Sequence, residues 1–391
     1  MKKNFSIYLD VVGFCAVMTV AASHFVYLRW TGGAIPERIF LFLREAGADA
    51  VMVLFVLLAF VIACSADQKD RDWRDYAFAR ATRIYAVVVP AVIFVIFLDA
   101  MGKAQNPAAY DGWWYADHRL WAALFRGLTF SNEFWTSAFR MGSNGPYWAL
   151  GYGIWYCVLF GVAFYARGWS RVLLFTAIAL MIGPKIWLLA PVWMLGFLLY
   201  RAVKRGWLDD HEGPTALAKE LVAVVAPVVI YSILRFSDFN NLLNDASVGF
   251  IALFHEGRPG HAHFFLWHWF VGVLVLVHFA GVGLLLQRVP AESLASFNKP
   301  MRWLAGASFS IYLLHYPLLQ FFGATMAGEA SDPMRAFFLF VLVIGASFIF
   351  AEISERRLRF FRRSLKRGTA ALRRRLDPLS DDASYDGHFW R

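Results

Sequence analysis

The sequence predicts an all-α, polytopic integral membrane protein with about ten transmembrane helices and both termini in the cytoplasm, and three observations carry that prediction. Of 391 residues, 59% are hydrophobic and 17% charged, with a mean hydropathy of +0.50, whereas soluble domains carry roughly a quarter charged residues. The apolar residues gather in windows that match or approach the ~20 helical residues needed to cross ~30 Å of hydrocarbon. Lys and Arg are unevenly shared between alternate connecting segments, which is the bias that orients membrane helices.

The first window, Tyr8–Leu28, runs on into Arg29 and Trp30 without a small-residue cleavage site, so it is expected to stay as a membrane helix and not to be removed as a signal peptide. Windows over Ala50–Cys64 and Ile84–Leu98 follow. The long connection after them holds a Trp-rich stretch, Gly112–Trp121, that reads as an amphipathic outside segment lying on the bilayer or covering a cavity. Tyr147–Ala166 comes next, then Val172–Ile182 and Ile186–Tyr200, the last two split by Gly183, Pro184 and Lys185. These two read either as separate crossings or as one broken helix. Leu221–Leu234, Phe264–Leu286, Leu304–Met326 and Ala336–Phe350 complete the set. Residues 1–355 are thus expected to form the membrane domain. Residues 356–391 form a tail, basic through Arg375 and acidic from Asp377, of a composition that favours partial disorder.

With ten spans and an inside start, 27 of the 38 Lys and Arg residues fall on inside segments, although the outside ones include the two longest loops, 99–146 and 235–263. Merging the short pair would put the arginine-rich tail outside, so the bias favours two crossings. The net charge of +10 then reflects topology plus a basic tail suited to anionic lipid headgroups, and nucleic acid is not an expected partner. Cys15, Cys64 and Cys157 lie in or at the ends of spans and imply no disulfide framework.

His24 is the most informative single residue. An ionisable group within a span is a functional-site hypothesis by default, and here it points to acid/base chemistry inside the membrane. The competing role is a neutral imidazole bonded to a backbone carbonyl or a neighbouring helix.

Five segments, in order, carry a resemblance to a known family. They are Tyr8-Leu9-Asp10-Val11-Val12-Gly13-Phe14 leading to Ser23-His24-Phe25; the apolar helix Val51–Ile62; Arg80-Ala81-Thr82-Arg83-Ile84-Tyr85; Asn144-Gly145-Pro146-Tyr147-Trp148-Ala149-Leu150-Gly151-Tyr152; and Ser308-Phe309-Ser310-Ile311-Tyr312-Leu313-Leu314-His315-Tyr316-Pro317. Together they resemble the integral membrane acyltransferase family 3, whose members O-acylate glycans and other acceptors from cytoplasmic acyl-CoA. The resemblance implies a multi-pass protein of a bacterial-type cytoplasmic (inner) membrane. Acyl-CoA, acetyl-CoA above all, would serve as co-substrate with no bound cofactor, and a glycan or other hydroxyl would be the acceptor.

The chain departs from that family at defined positions. The family has an arginine eleven residues before the first-helix histidine, a spacing that returns within about 20° of the same helix face after ~16 Å; this chain has Gly13 there. The Ser-Gly-Phe turn of the second helix is replaced by Leu58-Ala59-Phe60, which removes a hydroxyl and the close approach a glycine allows. A carboxylate expected after the Trp of the fourth span is replaced by Gly153, for which the sequence offers no packing reason.

The resemblance makes His24 the general base for the acceptor hydroxyl, a role worth ~10²–10⁴-fold, and gives donor phosphates to Arg80 and Arg83, which are helical neighbours able to present two forks. Ordinary positive-inside decoration accounts for the same arginines. His315 is expected at a depth similar to His24, facing the same cavity or serving as a helix–helix hydrogen bond. Asp10 reads as a structural partner or cap near the cytoplasmic mouth. Tyr312 belongs to the same motif as His315, and Tyr147 and Trp148 either border the acceptor site or belong to an interfacial aromatic belt. No metal is expected: His255, Glu256, His261, His263 and His268 cluster in sequence, but without the spacing or cysteines of a zinc site. Two rival functions remain from the sequence. One is a catalytically impaired relative acting as a binding or assembly partner, and the other is a transporter of acyl donor or glycan carrier.

Overall fold

The computed structural model describes residues 3–29, 37–112, 114–207, 215–253, 260–290, 293–329 and 331–364. Among these the chain is helical, with no sheet beyond a single bridge between Met141 and Asn144. The helices are α1 (Lys3–Arg29), α2 (Glu37–Gln68), α3 (Trp73–Gln105), α4 (Leu120–Thr129), α5 (Tyr147–Tyr165), α6 (Gly168–Ile182), α7 (Pro184–Trp187), α8 (Ala190–Lys204), α9 (Ala216–Leu234), α10 (Asp238–Ala252), α11 (Phe265–Leu285), α12 (Ala295–Ala305), α13 (Ser308–Thr325) and α14 (Pro333–Ile353). Seven of them, α1, α2, α3, α5, α9, α11 and α14, are long and apolar enough to cross a membrane, and α6 is a shorter apolar helix. Each of the ten apolar windows falls on helix, with Ile186–Tyr200 shared between α7 and α8 and Leu304–Met326 beginning at the end of α12 before it enters α13. The first three helices outrun their windows because backbone hydrogen bonding continues into polar flanks where the apolar signal stops. The tail beyond residue 364, with its expected disorder, and also Trp30, His255 and Glu256, lie outside the described residues.

The connections gather at two ends of the bundle. At one end Asn4 donates to the carbonyls of Val289 and Pro290, Lys204 pairs with Asp67, Ser310 donates to Glu355, and Arg362 donates to the carbonyl of Ala79. At the other end Trp135 donates its backbone N–H to Ile182, Lys185 pairs with Glu133, and Trp148 stacks on His261. The segment after α1's start and the segment after α14 thus lie at the same end. α6 stops at Gly183, whose φ of +80 is left-handed and whose missing Cβ would meet the backbone of Trp135 at 2.7 Å; Pro184 then opens α7, as proline does at a first helical position.

α13 forms the centre. Ile311, Leu314, His315 and Leu319 are fully buried, with α1, α3 and α14 packed around the helix. α9 turns Val222, Val225, Val228 and Ile233 outward, the inverse of a water-soluble helix.

Packing reasons appear for the substituted positions. A Cβ on Gly13 would sit 3.3 Å from Leu57, and one on Gly153 3.3 Å from Leu58, so the two glycines bring α1 and α5 against neighbouring leucines of α2. This corrects the expectation that Gly153 has no packing role. The close approach expected to be lost at Ala59 is supplied from across the interface: a Cβ on Gly196 of α8 would lie 2.0 Å from the Val56 carbonyl oxygen and 2.8 Å from the Ala59 methyl. Glycine permits such backbone contact wherever it stands on either helix.

Candidate active site

His24 and His315 meet directly. Nδ1 of His24 lies 3.0 Å from Nε2 of His315, the rings stack with centroids 5.1 Å apart, and His315 is fully buried. Nδ1 of His315 lies 3.0 Å from the Ile311 carbonyl, one turn back on α13. A carbonyl only accepts, so that nitrogen carries the proton, and Nε2 of the neutral ring is left as an acceptor. It therefore accepts from His24 Nδ1–H. Nε2 of His24 is then the lone-pair nitrogen, which is the state a general base requires. The edge of the Tyr316 ring closes one side, 5.0 Å from the His24 centroid.

The position of His315 depends on a clamp between two sequence motifs. Pro317 has no N–H, so the Leu313 carbonyl four residues earlier loses its helical donor. The side-chain amide of Asn144 supplies one at 3.0 Å. Tyr312 donates its hydroxyl to the Pro146 carbonyl at 2.9 Å. Gly145 lacks a Cβ where one would sit 3.3 Å from an Arg140 guanidinium nitrogen and 3.4 Å from the Tyr316 ring. Tyr147 is buried and donates to the Gly127 carbonyl at 2.6 Å, tying α5 to α4. Tyr147 and Tyr312 are thus placed by backbone bonds, and neither lines the polar cavity described next.

A polar cavity of about 650 Å³ opens at the end opposite Asn4, between α2, α5, α10 and α11. Trp148 and His261 form part of its wall, stacked at 4.4 Å with rings 6° from parallel, and His261 lies within electrostatic range of His24. In the same lining Arg235 pairs with Glu45 at 2.9 Å and Asp49 at 3.0 Å, while Asp49 accepts from Trp267 and Tyr231 at 2.9 Å each. The side chain of His261 is exposed, and desolvation of its ring, with Arg140 and Lys185 nearby, holds it below its ordinary 6.5, so it is neutral at physiological pH. Below it, Lys185 and Glu133 form a buried ion pair of 2.6 Å. Desolvation pushes the Glu133 carboxyl up, against the pull of Lys185. Among the described residues no group of three His, Cys, Asp or Glu side chains is arranged to hold a metal ion.

At the opposite end the expected donor arginines separate. Arg80 pairs with Asp70 at 2.9 Å and lies over the Tyr76 ring at 5.0 Å, while its Nε is buried without a partner. Arg83, one turn on, is exposed, with Asp10 and Glu355 in electrostatic reach. Arg362 joins them by donating to Thr82 and Ala79. Asp10 stands 4.0 Å from Arg302.

Sequence reasoning did not find Asp49, Arg235, Asn240 or Arg140. Asp49 alone carried a signal, an acidic residue beside the second apolar window. The others sit on loops or amphipathic helices where polar residues are ordinary. A family model described as an acyltransferase domain matches residues 6–352. No curated protein and no solved structure matches the chain.

Proposed function

Because the chain belongs to the acyltransferase-3 family, its model spanning residues 6–352, we propose that it transfers a short acyl group, acetyl above all, from cytoplasmic acyl-CoA to a hydroxyl of an exported or envelope glycan. The observation that carries this reading is the His24–His315 pair, with its bonding partners leaving Nε2 of His24 unprotonated. His24 Nε2 takes the acceptor O–H proton as the oxygen attacks the thioester carbonyl. The C–S bond then breaks, and the proton passes to the departing thiolate, giving an ester and free coenzyme A. His315 orients the base, as the third member of a catalytic triad does.

The oxyanion formed on attack calls for a donor. Gly13 offers none, and we assign the part to Arg140, whose guanidinium shares the space beside Gly145 with Tyr316. Arg80 and Arg83 on α3, joined by Arg362 from the segment after α14, at the end of the bundle that carries Asn4, are assigned to the donor phosphates.

Ten crossings with both termini cytoplasmic fit this reading. The segments next to α1's start and α14's finish share one end, which requires an even number of crossings, and α6, α8 and α13 complete the seven longer helices. The basic tail then faces the anionic inner leaflet of a bacterial-type cytoplasmic membrane.

The test is release of coenzyme A from acetyl-CoA by the purified protein in bilayer discs with an envelope-glycan mixture, for wild type, His24→Ala and Gly13→Arg. Turnover that falls ~10²-fold or more in His24→Ala supports the reading. An inert wild type revived by Gly13→Arg identifies a disabled enzyme, and silence in all three, beside an active relative on the same glycans, favours a binding or transport role.

A further inference from the structure

The cavity walled by Trp148 and His261 carries polar groups whose bonding capacity is only partly used. Arg235 donates to Asn240 Oδ1 at 3.2 Å, and the Asn244 amide donates to the same oxygen at 3.1 Å. These donors fix the orientation of both amides. Asn240 Nδ2 is left without an acceptor and Asn244 Oδ1 without a donor, and Nδ1 of His268 is also unbonded. Asn240 is 5% exposed and His268 4%, and all three residues line the cavity. Buried polar atoms of this kind are costly unless something bonds to them.

The charges around them cancel. Arg44 pairs with Glu45, and Arg235 pairs with Glu45 and Asp49; His261 is neutral. A charged ligand would meet no opposite charge that is not already paired. What remains is a donor and an acceptor on adjacent amides, an imidazole, and the stacked aromatic wall of Trp148 and the exposed His261. A hydroxyl is the group that both donates and accepts, and the C–H face of a sugar ring suits an aromatic wall.

We propose that this cavity is the acceptor subsite and binds an uncharged sugar residue, its hydroxyls held by Asn240, Asn244 and His268 and one of them directed past His261 toward His24. The proposal rests on the acyl-transfer reading for the role of the site, while the binding itself is independent of it.

The experiment is saturation-transfer NMR on the protein in lipid discs, without acyl donor, using maltotetraose, chitotetraose and tetragalacturonate as probes. Wild type is expected to transfer saturation to at least one neutral probe and not to the tetragalacturonate. Asn240→Leu is expected to weaken that binding about tenfold, the loss of one buried hydrogen bond. Asn241→Trp narrows the cavity from an exposed lining position and should act likewise even if Asn240→Leu folds poorly. Binding is read here without turnover, so an inactive enzyme that still binds sugar leaves the subsite standing. Transfer to neither neutral probe, a preference for tetragalacturonate, or binding untouched by both cavity variants overturns the proposal.

Discussion

Asn144 donates its side-chain amide to the carbonyl of Leu313 across 169 residues of sequence, replacing the backbone donor that Pro317 lacks. The two motifs that hold these residues are therefore one structural device. The proline frees a carbonyl beside His315, and the loop before α5 captures it, so that α13 and α5 are locked where the imidazole must stand.

That relationship predicts a double-mutant cycle. Asn144→Ala should cost about 1–3 kcal/mol by leaving a buried carbonyl unbonded. In a Pro317→Ala background, where the helix supplies its own donor, the same substitution should cost distinctly less. Denaturant unfolding in mild detergent measures both, and additive costs would mean that the two residues are uncoupled.

The helix contact at Gly196 predicts a contrast between two glycine-to-alanine changes. Gly196→Ala places a methyl 2.0 Å from the Val56 carbonyl oxygen and should unfold or severely destabilise the α2–α8 contact. Gly249→Ala in α10 meets nothing within 4 Å and should be neutral or stabilising by up to about 1 kcal/mol. Thermal melts of the two variants side by side decide it, and equal melting points would refute the packing argument.

The Lys185–Glu133 pair predicts an asymmetry. Both side chains are almost fully buried, so Lys185→Met should cost about 3–5 kcal/mol by leaving Glu133 without its counter-charge. Lys185→Met with Glu133→Leu should recover most of the loss, because two apolar groups demand no desolvation of charge. Unfolding midpoints of the single and double variants give the comparison; a double variant as weak as the single one would point to the bond from Lys185 to the Ser137 carbonyl as the larger contribution.

His261 predicts how stability follows pH. Its imidazole ordinarily titrates at 6.5 and is held down to about 3 in the folded loop. Above pH 6.5 it is neutral in both states and the full contribution is present. As pH falls below 6.5 the unfolded loop binds a proton that the folded one refuses, so stability declines progressively toward pH 3. Melting temperature should therefore fall between pH 7 and 4, and the fall should be shallower in His261→Phe, which keeps an aromatic ring against Trp148. Parallel pH profiles for the two proteins would show that other groups control the response.

The sequence by itself determined the class of fold, the order of apolar helices, the unequal sides of the bundle and the prominence of His24. Hydrophobicity and charge act through the solvent each residue must face, and that requirement is written locally. It also placed His24, His315, Asn144 and Pro317 in motifs, without their partners. Only the tertiary structure decided that His24 and His315 bond to each other, that Arg80 is held by Asp70 while Arg83 is exposed, and that Gly13 and Gly153 stand against leucines of α2. It also brought Asp49, Arg235 and Asn240 to one cavity beside Trp148. The reason is the same in each case: a hydrogen bond or a close approach is a property of a pair, and its two halves lie on helices far apart in the chain that meet only when the bundle packs.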